Sequence, residues 1–209
     1  MKFKLALFDV DSTLTETEGI DLLASHSPHL MKVAEITERA MRGELDFDAA
    51  IRERVSLLAG LPEEIINQAI VETRISRGAR AAIEGLKERG LKIGVVSGGF
   101  REIIDQIFAG WPFDLIMAHR IEIENGRLTG ELAGGIINRE RKATILREFA
   151  RASGVELHQC VAVGDGSNDI AMIQLAGLGV SYRGKPVLNQ VADKQISDFD
   201  ELIPLLESL

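Results

Sequence analysis

Four short apolar runs, each cut off by polar residues, do most to limit what this chain can fold into. They are "KLALFD" (4–9), "KIGVVSG" (92–98), "QCVAVGD" (159–165) and "GLGVSY" (177–182), and "FDLIMAH" (113–119) is a fifth candidate. Continuous apolar stretches of this length, rich in Val and Ile, suit strands buried on both faces. Helical patterns near 78–89, 100–109, 139–152, 167–175 and 198–207 separate or follow them. Buried strands alternating with helices predict an α/β fold whose sheet is parallel and covered on both sides.

Two intervals depart from that alternation. From about 16 to 76 no strand pattern occurs; "IDLLA" and the stretches 30–42, 46–58 and 62–72 are helical, separated by "GELD" and "GLPEE". A helical block after the first strand predicts an inserted cap over 16–76, with 1–15 and 77–209 forming the core domain. The segment "RIEIENGRLTGEL" (120–132) alternates around Asn125-Gly126, a strong hairpin signal, so a small β-hairpin is expected there.

Ligands of open α/β sheets collect beyond the carboxyl ends of the strands. Reading those ends gives Asp9 and Asp11, then Ser97-Gly98-Gly99, then Asp165-Gly166-Ser167-Asn168-Asp169. A single acid can tip a turn or cap a helix, but four on one sheet edge need a further reason. Gathered carboxylates repel, and burial disfavours their charged form. A divalent cation removes both difficulties, and hard oxygen donors with few other ligands suit Mg²⁺. Such a cation commonly sits beside a phosphate. The "SGG" segment offers a hydroxyl and flexible backbone N–H groups at a helix start, which suits an anion.

"NRERKATILREF" (138–149) adds a cation. With Asn138 as N-cap, Arg139, Arg141 and Lys142 fall in the first helical turn, where positive charge opposes the helix dipole by ~0.3–1 kcal/mol each. Lys142 shares a face with Ile145, Leu146 and Phe149, which points it inward. A snorkelling lysine is the plain alternative; a lysine kept to neutralise a bound anion accounts for the broken local rule. With phosphate so held, Asp9 can attack it and form an aspartyl-phosphate. Asp11 can then protonate the leaving oxygen and deprotonate the hydrolytic water.

Taken together, "DVDST", "VVSGGF", Lys142 and "VGDGSND" resemble the four motifs of the haloacid dehalogenase (HAD) superfamily of phosphatases, spanning residues 9 to 169. Within it the chain is similar to the phosphoserine phosphatase family over nearly its whole length, through "DSTL", "AMRGELDFDAAIRERVSLLAGLP", "VVSGGF" and "GRLTGEL". The resemblance implies a Rossmann-like core with the helical cap inserted after the first strand. It implies Mg²⁺ held by Asp9, the backbone carbonyl of Asp11, and Asp165, with Asp169 supporting from behind. Ser97, Gly98, Lys142 and Asn168 would serve the phosphate. The implied reaction is hydrolysis of O-phospho-L-serine, a step of serine biosynthesis, with Glu18 meeting the ammonium and Arg54 the carboxylate. Met41 and Phe47 would line the cap side.

Arg54 also stands out on spacing alone, because it shares a helical stripe with Phe47, Ile51 and Leu58. A solvated arginine avoids such a stripe, and its fork suits a carboxylate. Glu18, just after Thr17, would equally favour a helix start, and Met41 and Phe47 read as ordinary core without the resemblance. Arg77-Gly78 and Tyr182-Arg183 depart from the family's pattern near loops that could border the site. The four histidines lack metal-binding spacing and read as surface or loop residues.

Several classes are disfavoured. The net charge of −8 and 5% aromatic content argue against nucleic acid or an anionic membrane as partner. No apolar stretch approaches the ~18 residues of a spanning helix. Cys160 stands alone inside an apolar run, which suits a cytoplasmic protein without disulfides. The partner expected is a small phosphate ester, with a monomer or homodimer, and no appended regulatory domain. A phosphotransferase, or a phosphatase for another small ester, is the alternative enzyme. A phosphorylation-switch receiver would need neither a second acid two residues past its acceptor nor a helical lid.

Overall fold

The computed structural model describes residues 2–42 and 44–209. In chain order its strands are β1 (Leu5–Phe8), β2 (Lys92–Phe100), β3 (Leu115–His119), β4 (Ile121–Glu124), β5 (Arg127–Leu132), β6 (Cys160–Gly164), β7 (Leu178–Tyr182) and β8 (Lys194–Ile196). Six of them form one parallel sheet in the order β3-β2-β1-β6-β7-β8. The five expected strands are present. The sixth, β8, has the sequence "KQI" with two exposed polar residues, so it carries no apolar run and depends on pairing with β7.

Alternation along the strands divides the core in two. Ala6 and Phe8, with Val95, Val163 and Val180, face a cluster closed by α5 (Ala79–Glu88) and α10 (Leu202–Glu207). Leu5 and Leu7, with Val96 and Ala162, face a second cluster closed by α7 (Arg139–Ala152) and α8 (Ile170–Leu175). This two-sided burial is why the strands read as continuous apolar runs. Cys160 is fully buried in the second cluster, and burial pushes its thiol up to about 11.

Among the described residues four α-helices lie between β1 and α5: α1 (Gly19–Ala24), α2 (Leu30–Met41), α3 (Phe47–Ser56) and α4 (Ile65–Glu72). They bury Leu23, Val33, Ile51, Val55, Leu58 and Ala69 against one another. Two chain crossings join this insert to the sheet, and they pair through a Thr15–Ile75 bridge and the Glu16 N–H to Arg74 carbonyl bond. The β4–β5 hairpin forms about Asn125-Gly126 as expected. Chain order assigns it to the core, but its contacts are with the insert. Leu128 donates to the Leu61 carbonyl, Gly60 donates to that of Leu128, and Ile121 and Leu128 join the insert's apolar cluster. Gly130 (φ +88) lets the strand pass so close to α3 that a Cβ would stand 2.8 Å from that of Ala59. Among the described residues no helix is long and apolar enough to cross a membrane.

Candidate active site

Sheet register decides which polar residues meet. Phe8 pairs with both Val95 and Val163, so Asp9 leaves the sheet beside Ser97, in the irregular last part of β2, and Asp165, just past the end of β6. The Asp9 N–H still donates to the Val163 carbonyl at 2.9 Å, fixing the start of the loop. Three residues on, Ser12 takes φ 57, a left-handed conformation that costs roughly 1–3 kcal/mol in a non-glycine residue. It turns the chain toward the insert and aims the Ser12 hydroxyl at Glu18 Oε1, 2.7 Å away.

Four charged side chains are sealed beneath this edge: Asp9, Asp165, Asp169 and Lys142 are all 2% exposed or less. Lys142 Nζ bonds Asp9 Oδ1 at 2.5 Å and Asp169 Oδ1 at 2.7 Å. Its helix, α7, is capped by Asn138 accepting from the Arg141 N–H at 3.0 Å. Lys142 therefore does not snorkel. Burial opposes its charge, but Asp169 and Asp9 more than offset that and hold it above the ordinary lysine range. Asp169 Oδ2 accepts from the N–H groups of Asp165 and Gly166, both at 3.1 Å, so this carboxylate is engaged on both oxygens.

Asp9 and Asp165 are less well served. Burial, then the Asp169 charge, pushes Asp9 well above the usual carboxylate range, and burial with Asp9 and Asp169 does the same to Asp165. Asp9, Asp165 and Asp169 each place an oxygen within 4.8 Å of the others. Unit charges that close repel by on the order of 3–4 kcal/mol per pair at an effective dielectric near 20, and one lysine cannot cancel three. Asp165 Oδ1 and Asn168 Oδ1 are moreover buried without a hydrogen-bond partner among the described residues. An excess of hard, partly orphaned oxygens fits a divalent cation.

Above this layer Asp9, Asp11, Glu18, Phe47, Arg54, Gly98 and Asn168 line one pocket, completed by Ile20 and Gly99. Asp11 is clamped: Gly19 N–H donates to its Oδ1 at 2.7 Å and the Ser97 hydroxyl to its Oδ2 at 2.7 Å. Gly99 passes so close that a Cβ there would lie 2.3 Å from Asp11 Oδ2. Ser97 is fully buried behind the wall and accepts from the Gly99 N–H at 2.7 Å. Phe47 covers Gly98 from the insert side, its ring 3.2 Å from where a Cβ would be. The Met41 side chain lies outside the described residues.

Arg54 is 4% exposed, reaching from α3 with Nε on the Ala50 carbonyl (3.3 Å) and Nη1 on Thr37 Oγ1 (3.0 Å). Thr37 Oγ1 also lies 3.0 Å from Asp21 Oδ1. Neither Thr37 nor Asp21 stood out in the sequence. Among the described residues nothing else accepts from the guanidinium, which leaves its remaining hydrogens for a ligand. Burial lowers Arg54 from its ordinary value while Glu18, Asp21 and Asp11 favour its charge. Glu18 is half-buried at the pocket wall, and burial together with the Asp11 charge raises it to about 8.

That shift has a measurable consequence. An acid held above its unfolded value of 4.5 destabilises the fold as pH rises past that value, and the cost is complete near pH 8. Glu18→Gln, which keeps the acceptor for Ser12, is expected to raise Tm at about pH 7.5 but not at about pH 4. Thermal scans without added ligand check this; a Tm difference that does not change with pH would remove the buried charge as its cause.

Some expectations need correcting. His119 is not a surface or loop histidine: it ends β3, is 2% exposed, and uses both ring nitrogens, toward the Gly98 carbonyl (2.9 Å) and the Ile137 N–H (2.7 Å). Burial holds it below its ordinary value, and a neutral ring with Nδ1 protonated satisfies both bonds. His26, His29 and His158 are exposed, as read. Tyr182 and Arg183 do not border the pocket: Tyr182 stacks on Phe199 at 4.4 Å in the core, and Arg183 bonds the Ser197 carbonyl. Arg77 is 79% exposed beside Asp198.

The family model described as haloacid dehalogenase-like hydrolase matches residues 6–174. The chain belongs to the haloacid dehalogenase-like hydrolases. A phosphoserine phosphatase of Streptococcus thermophilus is 41% identical over 207 residues, covering 98% of this chain and 96% of its own. That of Streptomyces coelicolor is 44% identical over 206 residues, 99% of this chain but 49% of its own. The chain thus spans about half the length of some of the curated relatives it matches, 47% and 56% in two further cases. A solved structure described as the phospho-aspartyl intermediate analogue of phosphoserine phosphatase superposes with a TM-score of 0.94 at 40% identity, covering 98% of this chain and 99% of that one. This HAD-like hydrolase therefore shares its fold with that structure over nearly the whole chain.

Proposed function

We propose that this HAD hydrolase is an Mg²⁺-dependent phosphomonoesterase that converts O-phospho-L-serine to L-serine and phosphate through an aspartyl-phosphate. The observation that carries this reading is a pocket with a lysine-held carboxylate at one end and a guanidinium beside a carboxyl group at the other. At the floor, Asp9 is bonded on one oxygen by Lys142, which leaves the other to attack phosphorus. At the roof, Arg54 and Glu18 line the same pocket, a guanidinium for an α-carboxylate and a carboxyl group that an α-ammonium would hold ionised. Relatives named phosphoserine phosphatase, including a full-length one, support the same substrate.

The residues then take these roles. Asp9 attacks, and the ester P–O bond breaks as the new P–O bond forms. Asp11, oriented by Gly19 and Ser97, gives a proton to the departing serine oxygen. It later takes one from the water that hydrolyses the phosphoenzyme. Lys142 balances charge at Asp9, and Asp169 holds Lys142 in place. The Gly98 amide and Asn168 bind phosphate oxygens and Phe47 closes the insert side, while Ser97, buried behind the wall with its hydroxyl on Asp11, serves the phosphate through that carboxylate. Asp9, the Asp11 carbonyl and Asp165 would hold the cation, with Asp169 behind them because both its oxygens are already engaged. The cation would neutralise the phosphate and so lower the cost of bringing it to a carboxylate.

We also assign residues 16–76, together with the hairpin that packs on them, to a cap that closes over the pocket. Three contacts across the seam support this. Asn138 Nδ2 bonds Asp48 at 3.0 Å, Ser167 Oγ bonds the Ala40 carbonyl at 2.9 Å, and Lys185 pairs with Glu38 at 3.1 Å.

The test is a steady-state comparison of phosphoserine, phosphothreonine and several sugar phosphates on chelator-stripped enzyme resupplied with Mg²⁺. Phosphoserine is expected to lead by well over tenfold in kcat/KM. A lead below about tenfold amounts to only ~1.4 kcal/mol of transition-state preference; it would leave a phosphatase or phosphotransferase for another small ester as the better reading.

A further inference from the structure

The phosphate-side loop has an unusual construction. Gly98 and Gly99 carry no side chains to hold their shared peptide group, yet Gly98 and Gly99 both line the pocket. The ladder between β2 and β3 is interrupted from Val96 to Phe100, so regular pairing does not hold that peptide either. It is gripped from both ends by side chains. The Gly98 carbonyl accepts from His119 Nδ1 at 2.9 Å, and the Gly99 N–H donates to Ser97 Oγ at 2.7 Å.

Those two bonds belong to a longer chain with one direction. The Ile137 N–H donates to His119 Nε2, His119 Nδ1–H donates to the Gly98 carbonyl, the Gly99 N–H donates to Ser97 Oγ, and the Ser97 hydroxyl donates to Asp11 Oδ2. Every donor and acceptor along it is consistent, and such chains strengthen cooperatively. One end lies next to Asn138, the N-cap of the helix that carries Lys142. The other end is the carboxylate assigned above as acid and base. His119 touches neither the pocket nor any charged group along this path.

We propose that His119 is a positioning residue for phosphate recognition, turning the Gly98 carbonyl out of the pocket and, through the 98–99 peptide and Ser97, orienting Asp11. Without it the glycine peptide is free to rotate. A carbonyl oxygen swung into the pocket faces a phosphate oxygen of like partial charge, and the Gly99 N–H leaves Ser97. The inference rests on the phosphoryl-transfer reading of this pocket but not on serine being the alcohol, because the loop meets only the phosphate.

The experiment compares His119→Phe, which keeps a ring but removes both nitrogens, with His119→Asn and His119→Gln. Asn places a donor near the Nδ1 position and so can serve Gly98; Gln places its amide near Nε2 and serves Ile137 instead. Hydrolysis of phosphoserine and of an aryl phosphate is measured, with equilibrium binding of inorganic phosphate in the presence of Mg²⁺. The Phe variant is expected to lose on the order of 10-fold to 100-fold in kcat/KM on both esters alike and to bind inorganic phosphate more weakly. Asn is expected to recover most of that loss while its Tm stays depressed, whereas Gln recovers the Tm and not the activity. A Phe variant with a lowered Tm but unchanged kcat/KM and phosphate affinity would make His119 purely structural and overturn the proposal. If the Phe variant does not fold, the order of Asn and Gln decides, and Gln matching or exceeding Asn in kcat/KM overturns it. Poor wild-type selectivity for phosphoserine counts against the substrate reading alone, since the aryl ester and phosphate binding still report on the loop.

Discussion

Asp9→Asn is expected to lower turnover by on the order of 10⁴-fold or more, a barrier increase of ~5 kcal/mol or greater, and to abolish the acid-trappable phosphoenzyme. The asparagine fills the same space beside Lys142, but a neutral amide is a poor nucleophile toward phosphorus. The variant should nevertheless fold well. Asp9 is buried with Asp165 and Asp169 around one lysine, so removing one negative charge relieves repulsion, and Lys142 keeps Asp169. Stability of the ligand-free variant at or above wild type, with activity gone, is the expected signature. Near-normal turnover would refute the covalent route, and a variant that retained phosphate trapping would move the nucleophile elsewhere.

Arg54→Met should divide substrates rather than abolish chemistry. Methionine keeps an apolar stem on α3 but removes the fork. Truncating one side of a buried charge pair costs roughly 2–5 kcal/mol, so kcat/KM for phosphoserine is expected to fall by about 100-fold or more, the equivalent of ~2.7 kcal/mol. An aryl phosphate, with no carboxylate to bind, should lose less than about tenfold. Glu18 makes the effect larger than one lost contact. Arg54 is among the charges that favour ionised Glu18, so its removal pushes that acid further toward the neutral form and weakens ammonium binding too. Equal losses on both substrates would remove the carboxylate role. Arg54→Lys should rescue little, because a point charge cannot replace a planar fork that is also held by Ala50 and Thr37.

Much of this was legible before any geometry. Strands buried on both faces show as unbroken apolar runs, and the residues that break them off, Asp9, Ser97 and Asp165, lie at the sheet edge where register brings them together. Lys142 was visible because an inward-facing lysine violates helix rules, and the structure shows it fully buried between two carboxylates. Strand β8 escaped because an edge strand of "KQI" has no apolar signal of its own. His119 escaped for a different reason: an isolated histidine has no pattern, and its burial follows from β3 ending beside the 97–99 loop, where it pairs with Phe100. Thr37 and Asp21 escaped likewise, as polar residues on helices whose mutual packing turns them toward Arg54.

By itself the sequence determined the parallel core, the helical insert and the line of acids, glycines and lysine that marks phosphoryl chemistry. These are local properties: hydrophobic runs, their stop residues and the side-chain types that follow. Only the tertiary structure decided which groups share a hydrogen bond or a charge. It placed the hairpin on the insert, left Asp165 Oδ1 without a partner among the described residues while engaging both oxygens of Asp169, and raised Glu18 to about 8. Those outcomes depend on distances of a few ångströms between segments far apart in the chain, and on the burial that makes each such charge costly.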